Sequence, residues 1–296
     1  MFYTNPRQPA LYSMPGSALL INLADPGGSL RATVDHVFPP TICDVLVATV
    51  SYQAPQTRCN LSVGSKFVLK IYDPRYTRRS EAEDSPEWSY SAERDAFPAH
   101  GGRLTRDIFG SSPSDTGCGS WEEYWFLRVA GVHDWEVQAY NHLKPLQGTG
   151  VPLMYGSGNL DLSEIDPRRT ISPPVILMEY IEDAAPLHEV DPRVLSPPVI
   201  QSLLDTMHRL PDFGVCHDDL NPGNMLFAPA NKPVRAVLID FGDCAIRKPE
   251  QSDEDWEVEI LTIRGKAAVM WQVGRRFSDE GLGPPKECQD WETVLR

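Results

Sequence analysis

The segment that most restricts how this chain can fold is VCHDDLNPGNMLF, in which His217, Asp219 and Asn224 stand in the spacing H-x-D-x-x-x-x-N. Two short apolar runs follow, Met225 to Phe227 and Ala236 to Asp240, on either side of the turn-forming segment PANKPVR, and they predict a short hairpin. Asp240-Phe241-Gly242 closes it. Either element alone is weak, because D-x-x-x-x-N is also the composition of an ordinary turn and Asp-Phe-Gly after a strand can arise by chance. In this order, joined by so short a connection, they point to one constellation of two acids and a neutral amide.

That constellation resembles the catalytic loop and Asp-Phe-Gly motif of protein kinases. The resemblance implies an ATP-dependent phosphotransferase: Asp219 would meet the attacking hydroxyl, while Asn224 and Asp240 would hold Mg²⁺ on the phosphates through oxygen ligands. Upstream, Lys70 in Val68-Leu69-Lys70 resembles the strand lysine that contacts the α- and β-phosphates, and Glu136 resembles its helix partner. A snorkelling edge lysine and a solvated helix glutamate have the same appearance in sequence.

Glu136 is preferred to Glu122 and Glu123 because Glu136, Ala139, Tyr140 and Leu143, followed by VPLMYG, resemble the helix-to-strand passage of aminoglycoside phosphotransferase-like kinases. Glu123 has a capping-box role with Ser120. The run Leu177 to Ile181 resembles a kinase hinge, with Met178 behind the adenine and the backbone of Glu179 and Ile181 at its polar edge; a plain buried strand shows the same pattern. The likeness extends over about Thr41 to Arg247, and LKxYDxR at Leu69 to Arg75 is shared with kinase-like proteins common in fungi.

Three features depart from the protein-kinase pattern. The loop before Lys70 holds only Gly64, with no G-x-G-x-x-G to cover phosphates. Asp218 follows His217 where H-R-D has arginine, so a phosphorylated activation loop would find no cation there. No A-P-E follows Gly242, and the helices that dock peptide substrates are largely missing. These departures favour a small-molecule acceptor over a protein, and they keep a pseudokinase or a nucleotide-binding interaction module open as the alternative. A purely structural interaction protein remains a third reading.

The rest of the chain predicts an α+β order, with strands first and helices later. TICDVLVATV from Thr41 and KFVLKIY from Lys66 read as strands, as does PPVILMEYI from Pro173. Val199, Ile200, Leu203, Leu204, Met207 and Leu210 make one helical stripe. A helix is expected from Ser120, with Gly131 a possible break, and a final helix from Ser252 carrying Trp256, Ile260, Ile263, Ala267 and Met270 inward.

The expected architecture is a bilobal kinase-like fold with a small β-rich N-lobe over 41–179 and a shortened helical C-lobe over 180–296, with ATP between the lobes. Residues 1–40 read as an extension, and about 73–119 as a mobile insertion rich in charge, Pro, Gly and Ser.

A net charge of −14 argues against a nucleic-acid surface, which needs clustered Lys and Arg. The six cysteines include no C-x-x-C pair, so neither a disulfide framework nor a zinc site is indicated. No apolar run approaches the roughly 20 residues that span a bilayer, and the expectation is a soluble, intracellular, cytoplasmic protein without a membrane partner.

Overall fold

A computed structural model describes residues 10–25, 27–39, 43–76, 79, 85–96 and 117–289. The chain falls into two compact units, Met1–Asp134 with Met154–Tyr180 and Trp135–Leu153 with Ile181–Arg296. Strands dominate the first and helices with short sheets make up the second, an α+β content.

The first unit is built on β1 (Ala18–Asp25), β2 (Gly28–Val37), β3 (Asp44–Gln53), β4 (Lys66–Ile71), β5 (Met154–Asp161) and β6 (Pro174–Glu179). They form a closed barrel in the order β1-β2-β3-β4-β6-β5, with every neighbouring pair antiparallel. Alternation along each strand sends one set of side chains inward, among them Leu19 and Ile21, Leu30 and Ala32, and Phe67 and Leu69, all buried in a single core. Closure leaves no unpaired edge on the sheet.

The barrel corrects the sequence reading of residues 1–40 as an extension, since regular structure begins at Ala18 and β1 closes the barrel against β5. The Gly-rich punctuation there is a hairpin turn: Gly27 and Gly28 take φ values of 92° and 102°, which a Cβ disfavours, and at Gly28 it would also lie 2.5 Å from Thr57. The unit boundaries also differ from the expected lobes, since residues 135–153 group with the second unit.

Part of the segment read as an insertion is fastened to the barrel. A 3₁₀ turn at Pro74–Tyr76 follows β4, and α1 (Tyr90–Ala96) buries Ala92, Glu93 and Ala96; residues 97–116 lie outside the described residues. The fastening is ionic. Arg169, in the connection between β5 and β6, donates to both oxygens of Asp73 at 2.9 and 3.1 Å and from Nε to Glu93 at 2.8 and 3.0 Å. Arg75 also donates to Asp73, Tyr12 Oη lies 3.0 Å from it, and Trp88 Nε1 donates to Glu93. Burial would raise the Asp73 carboxyl, but the guanidinium groups of Arg169 and Arg75 outweigh it and hold it well below the usual carboxylate range.

α2 (Cys118–His142) starts before the predicted cap, because Trp121 N–H already bonds to the Gly117 carbonyl at 3.4 Å, and it runs through Gly131 without a break. In the second unit follow β7 (Ala185–Pro186), α3 (Pro197–Arg209), β8 (Val215–His217), β9 (Met225–Ala228), β10 (Arg235–Leu238), β11 (Cys244–Ile246), α4 (Asp253–Ile263) and α5 (Gly265–Asp279). The α3 stripe is buried as its periodicity predicts. Ser252 caps α4 by accepting from Asp255 N–H, also as predicted. The expected single terminal helix is two, however: Arg264 adopts φ 53° between them, and Met207 would stand 2.3 Å from any Cβ at Gly265.

Cys43, Cys59, Cys216, Cys244 and Cys288 are buried, and burial pushes the thiols of Cys216, Cys244 and Cys288 up to about 12. No helix among the described residues is long and apolar enough to cross a membrane.

Arg169→Met removes the guanidinium that two buried carboxylates share and is expected to cost about 3–5 kcal/mol in urea unfolding. Because the folded pKa of Asp73 is depressed, its contribution is present above its unfolded value of about 3.9 and is lost as pH falls towards the folded value. Thermal midpoints measured from pH 5 down to pH 3 should therefore fall more steeply for the wild type than for Asp73→Asn.

Candidate active site

The predicted motif begins where β8 leaves the interior. His217 pairs with Cys244 of β11 and is fully buried, with Nε2 2.9 Å from the Ile239 carbonyl. Burial lowers its pKa, against the opposing pull of the Ile239 carbonyl and the charges of Asp240, Asp219 and Glu136. The ring is therefore neutral with its proton on Nε2, and it ties the start of one motif to the residue before Asp240.

Asp219 emerges exposed, yet its carboxylate is held on both oxygens. Asn221 Nδ2 donates to Oδ1 at 2.9 Å, and Asn224 Nδ2 donates to Oδ2 at 3.1 Å and to the Asp219 backbone carbonyl at 2.8 Å. The local chain makes this possible. Asn221 caps a 3₁₀ turn over Pro222–Asn224 by accepting from Gly223 N–H, and the fixed φ of Pro222 starts that turn without needing a donor. Asn221 was not singled out from sequence; its signal is the Asn-Pro-Gly tripeptide, a turn signature inside the motif.

Asn224 leads into β9, whose hairpin with β10 returns the chain so that Ile239 N–H bonds to the Asn224 carbonyl at 3.0 Å. Asp240 thus stands one residue beyond a direct backbone link to Asn224. It takes φ 65°, a left-handed conformation that aspartate tolerates better than most side chains. The next residue holds it there: Phe241 is fully buried, its ring 4.8 Å from that of His217 and 5.4 Å from that of Tyr140, and its N–H donates to Glu136 Oε1 at 3.3 Å. Glu136 on α2 is fully buried. The second unit therefore brings together four of the predicted residues: Glu136, Asp219, Asn224 and Asp240.

In the first unit Lys70 pairs with Ile176, and Val68 with Met178, across β4 and β6. Side chains directly opposed in an antiparallel pair share a face, so Lys70 and Met178 lie on the same face, outside the barrel core that Leu69 and Leu177 fill. Lys70 is 6% exposed, with Nζ 5.9 Å from the centroid of the Tyr72 ring. Glu179 ends β6 opposite Phe67, and Ile181 opens the second unit.

The donor set suits magnesium bound to phosphate. Asn224 commits Nδ2 to Asp219, so of its amide it is Oδ1 that would serve a cation, with a charged oxygen from the Asp240 carboxylate. Among the described residues no group of three or more His, Cys, Asp or Glu is placed to hold a metal ion.

Comparison with known proteins agrees with these motifs. Residues 177–251, which contain Asp219, Asn224 and Asp240, match the phosphotransferase enzyme family. The 3-deoxy-D-manno-octulosonic acid kinase of Haemophilus influenzae (strain PittEE) is 32% identical over 101 residues, which is 34% of this chain and 40% of that protein. The crystal structure of the Mycobacterium tuberculosis PknI kinase domain aligns with 86% of this chain and 77% of its own, at 16% identity and a TM-score of 0.41. The family match and the curated relative support a protein kinase-like superfamily member.

The depressed pKa of His217 has a spectroscopic consequence. The ring should stay neutral as pH falls past about 6.5, where an unperturbed imidazole titrates. The unfolded chain then binds a proton that the native ring refuses, so stability declines on the acid side of that value. Its NMR ring signals are expected to titrate with a midpoint below 6.5; a midpoint at or above 6.5 contradicts the assignment.

Proposed function

We propose that the protein is a phosphotransferase that moves the γ-phosphoryl group of Mg²⁺–ATP to the hydroxyl of a small molecule. The observation that carries this reading is Asp219: an exposed carboxylate anchored on both oxygens by Asn221 and Asn224. Each oxygen keeps lone-pair capacity for one further donor, as a base that receives a hydroxyl proton requires.

In this reading Asp219 orients the acceptor hydroxyl and takes its proton as the oxygen attacks phosphorus. Asn224 Oδ1 and Asp240 would hold magnesium, which supplies charge neutralisation on the phosphates. Lys70 is assigned to the α- and β-phosphates, the face it shares with Met178 to the adenine, and the backbone of Glu179 and Ile181 to the polar edge of the base. Glu136 is assigned to keep the Asp240 turn in place through Phe241, beside its role as the partner of Lys70. Positioning and electrostatics account for most of the rate in such a reaction.

The small acceptor is supported by the name of the curated relative, a 3-deoxy-D-manno-octulosonic acid kinase. One observation favours a second reading, a nucleotide-binding module without catalysis: the connections from β2 to β3 and from β3 to β4 carry Gly64 as their single glycine, and backbone cover for phosphates is normally glycine-rich.

Two measurements separate these readings. Asp219→Asn should preserve the thermal shift given by Mg²⁺–ATP while lowering γ-phosphate transfer to a panel of sugars and amino-alcohols by about 10²–10⁴-fold. Equal, substantial transfer by both proteins rejects the role of Asp219, and absence of transfer in the wild type across the panel favours the binding module. Asp240→Ala should abolish most of the magnesium-dependent part of the ATP thermal shift, since Asn224 alone offers the dication a neutral ligand. An unchanged shift removes Asp240 from the metal site.

A further inference from the structure

Beyond its own motif, the segment around Asp219 is held by α5. A short side chain points where its backbone points, and each residue has only two soft dihedrals with which to change that. The Asp219 carbonyl, bonded to Asn224 Nδ2 at 2.8 Å, fixes the peptide plane between Asp219 and Leu220. The next plane, between Leu220 and Asn221, offers its carbonyl to Gln272 Nε2 at 3.3 Å. Two successive planes are thus tethered on either side of Leu220, and Asn221 beyond it donates to the Asp219 carboxylate.

The helix supplying that second tether is well seated. α5 buries Val269, Met270 and Val273, and a Cβ on its first residue, Gly265, would meet Leu220 Cδ1 at 3.3 Å. Four residues after Gln272, and so on the same face, Arg276 donates from Nη2 to the Val190 carbonyl at 3.0 Å. Leu187, in the same short stretch as Val190, donates its N–H to the carbonyls of Pro222 and Met225 at 3.0 and 2.9 Å. Through these links α5 braces the segment twice, directly at Leu220 and through residues 187–190 at Pro222.

We infer that Gln272 is a positioning residue, which sets the geometry of Asp219 through the Leu220 carbonyl. Its effect on rate rests on the phosphoryl transfer proposed above; its effect on the loop does not. The competing account is a packing contact, in which only the volume of the side chain matters.

Gln272→Met keeps the length and removes the donor, whereas Gln272→Glu keeps the shape and turns an acceptor towards the Leu220 carbonyl. Hydrogen–deuterium exchange over residues 217–225 should quicken by roughly 3- to 10-fold in the Met variant, the value of one hydrogen bond, and further in the Glu variant. Exchange in β4 and β6 should not change. In the transfer assay kcat should fall in the same order while KM for ATP stays constant. Loop exchange in Gln272→Met equal to wild type overturns the inference, as does a uniform rise across α3, α5 and the loop together. Wild-type protein without transfer to any acceptor refutes the proposed reaction instead, and the exchange order still decides the role of Gln272.

Discussion

Everything in the second unit's polar centre depends on Asn224. Its Nδ2 holds the carbonyl and Oδ2 of Asp219, its N–H bonds to the Asn221 carbonyl, and its own carbonyl receives Ile239 N–H. Only a primary amide does all that the reading asks of this position. A carboxylate could not donate to Asp219, and a lysine would offer no oxygen to a cation. One side chain thereby couples the placement of the acid at 219 to that of the acid at 240, which the linear sequence separates by a hairpin.

The first unit solves a different problem, keeping an inserted helix against a closed barrel with few large apolar side chains of its own. Asp73 leaves the end of β4, Arg169 lies between β5 and β6, and Glu93 comes from α1, so one guanidinium joins three distant parts of the chain. The favourable terms are charge-assisted and bidentate, while the cost of burying the charges is large. Such a cluster adds little net stability and instead penalises every arrangement that leaves one member alone. The tyrosine and arginine that complete it, Tyr12 and Arg75, explain physically why aspartate and arginine stand two apart after Tyr72 in LKxYDxR.

What was legible in the sequence was whatever chemistry or periodicity had fixed to a spacing. The residues of the motif are close in sequence and joined by short backbone bonds, so Asp219, Asn224 and Asp240 could be picked out and a hairpin predicted between them. The α3 stripe and the strands at Lys66 and Pro173 were readable for the same reason, since each buries one repeating face. The N-terminal strands were not. β1 is stable through pairing with β2 and with β5, a partner far along the chain, and a local reading of Pro, Gly and Ser sees only the turn at Gly27 and Gly28. Gln272 was equally invisible, because it acts through a backbone carbonyl and a carbonyl leaves no mark on the identity of Leu220.

The acidic character of the motif carries its own constraint. Burial raises the pKa of the Asp243 carboxyl, and the charges of Asp218, Asp219 and Asp240 raise it further, so these four groups share one field of negative sign. A nucleotide polyphosphate approaching them would meet repulsion. A dication held by Asn224 and Asp240 would offset part of that charge, because a bound metal is the largest charge in such a site. Under the proposed reaction, magnesium would therefore aid the binding of nucleotide near Asp219 as well as the chemical step.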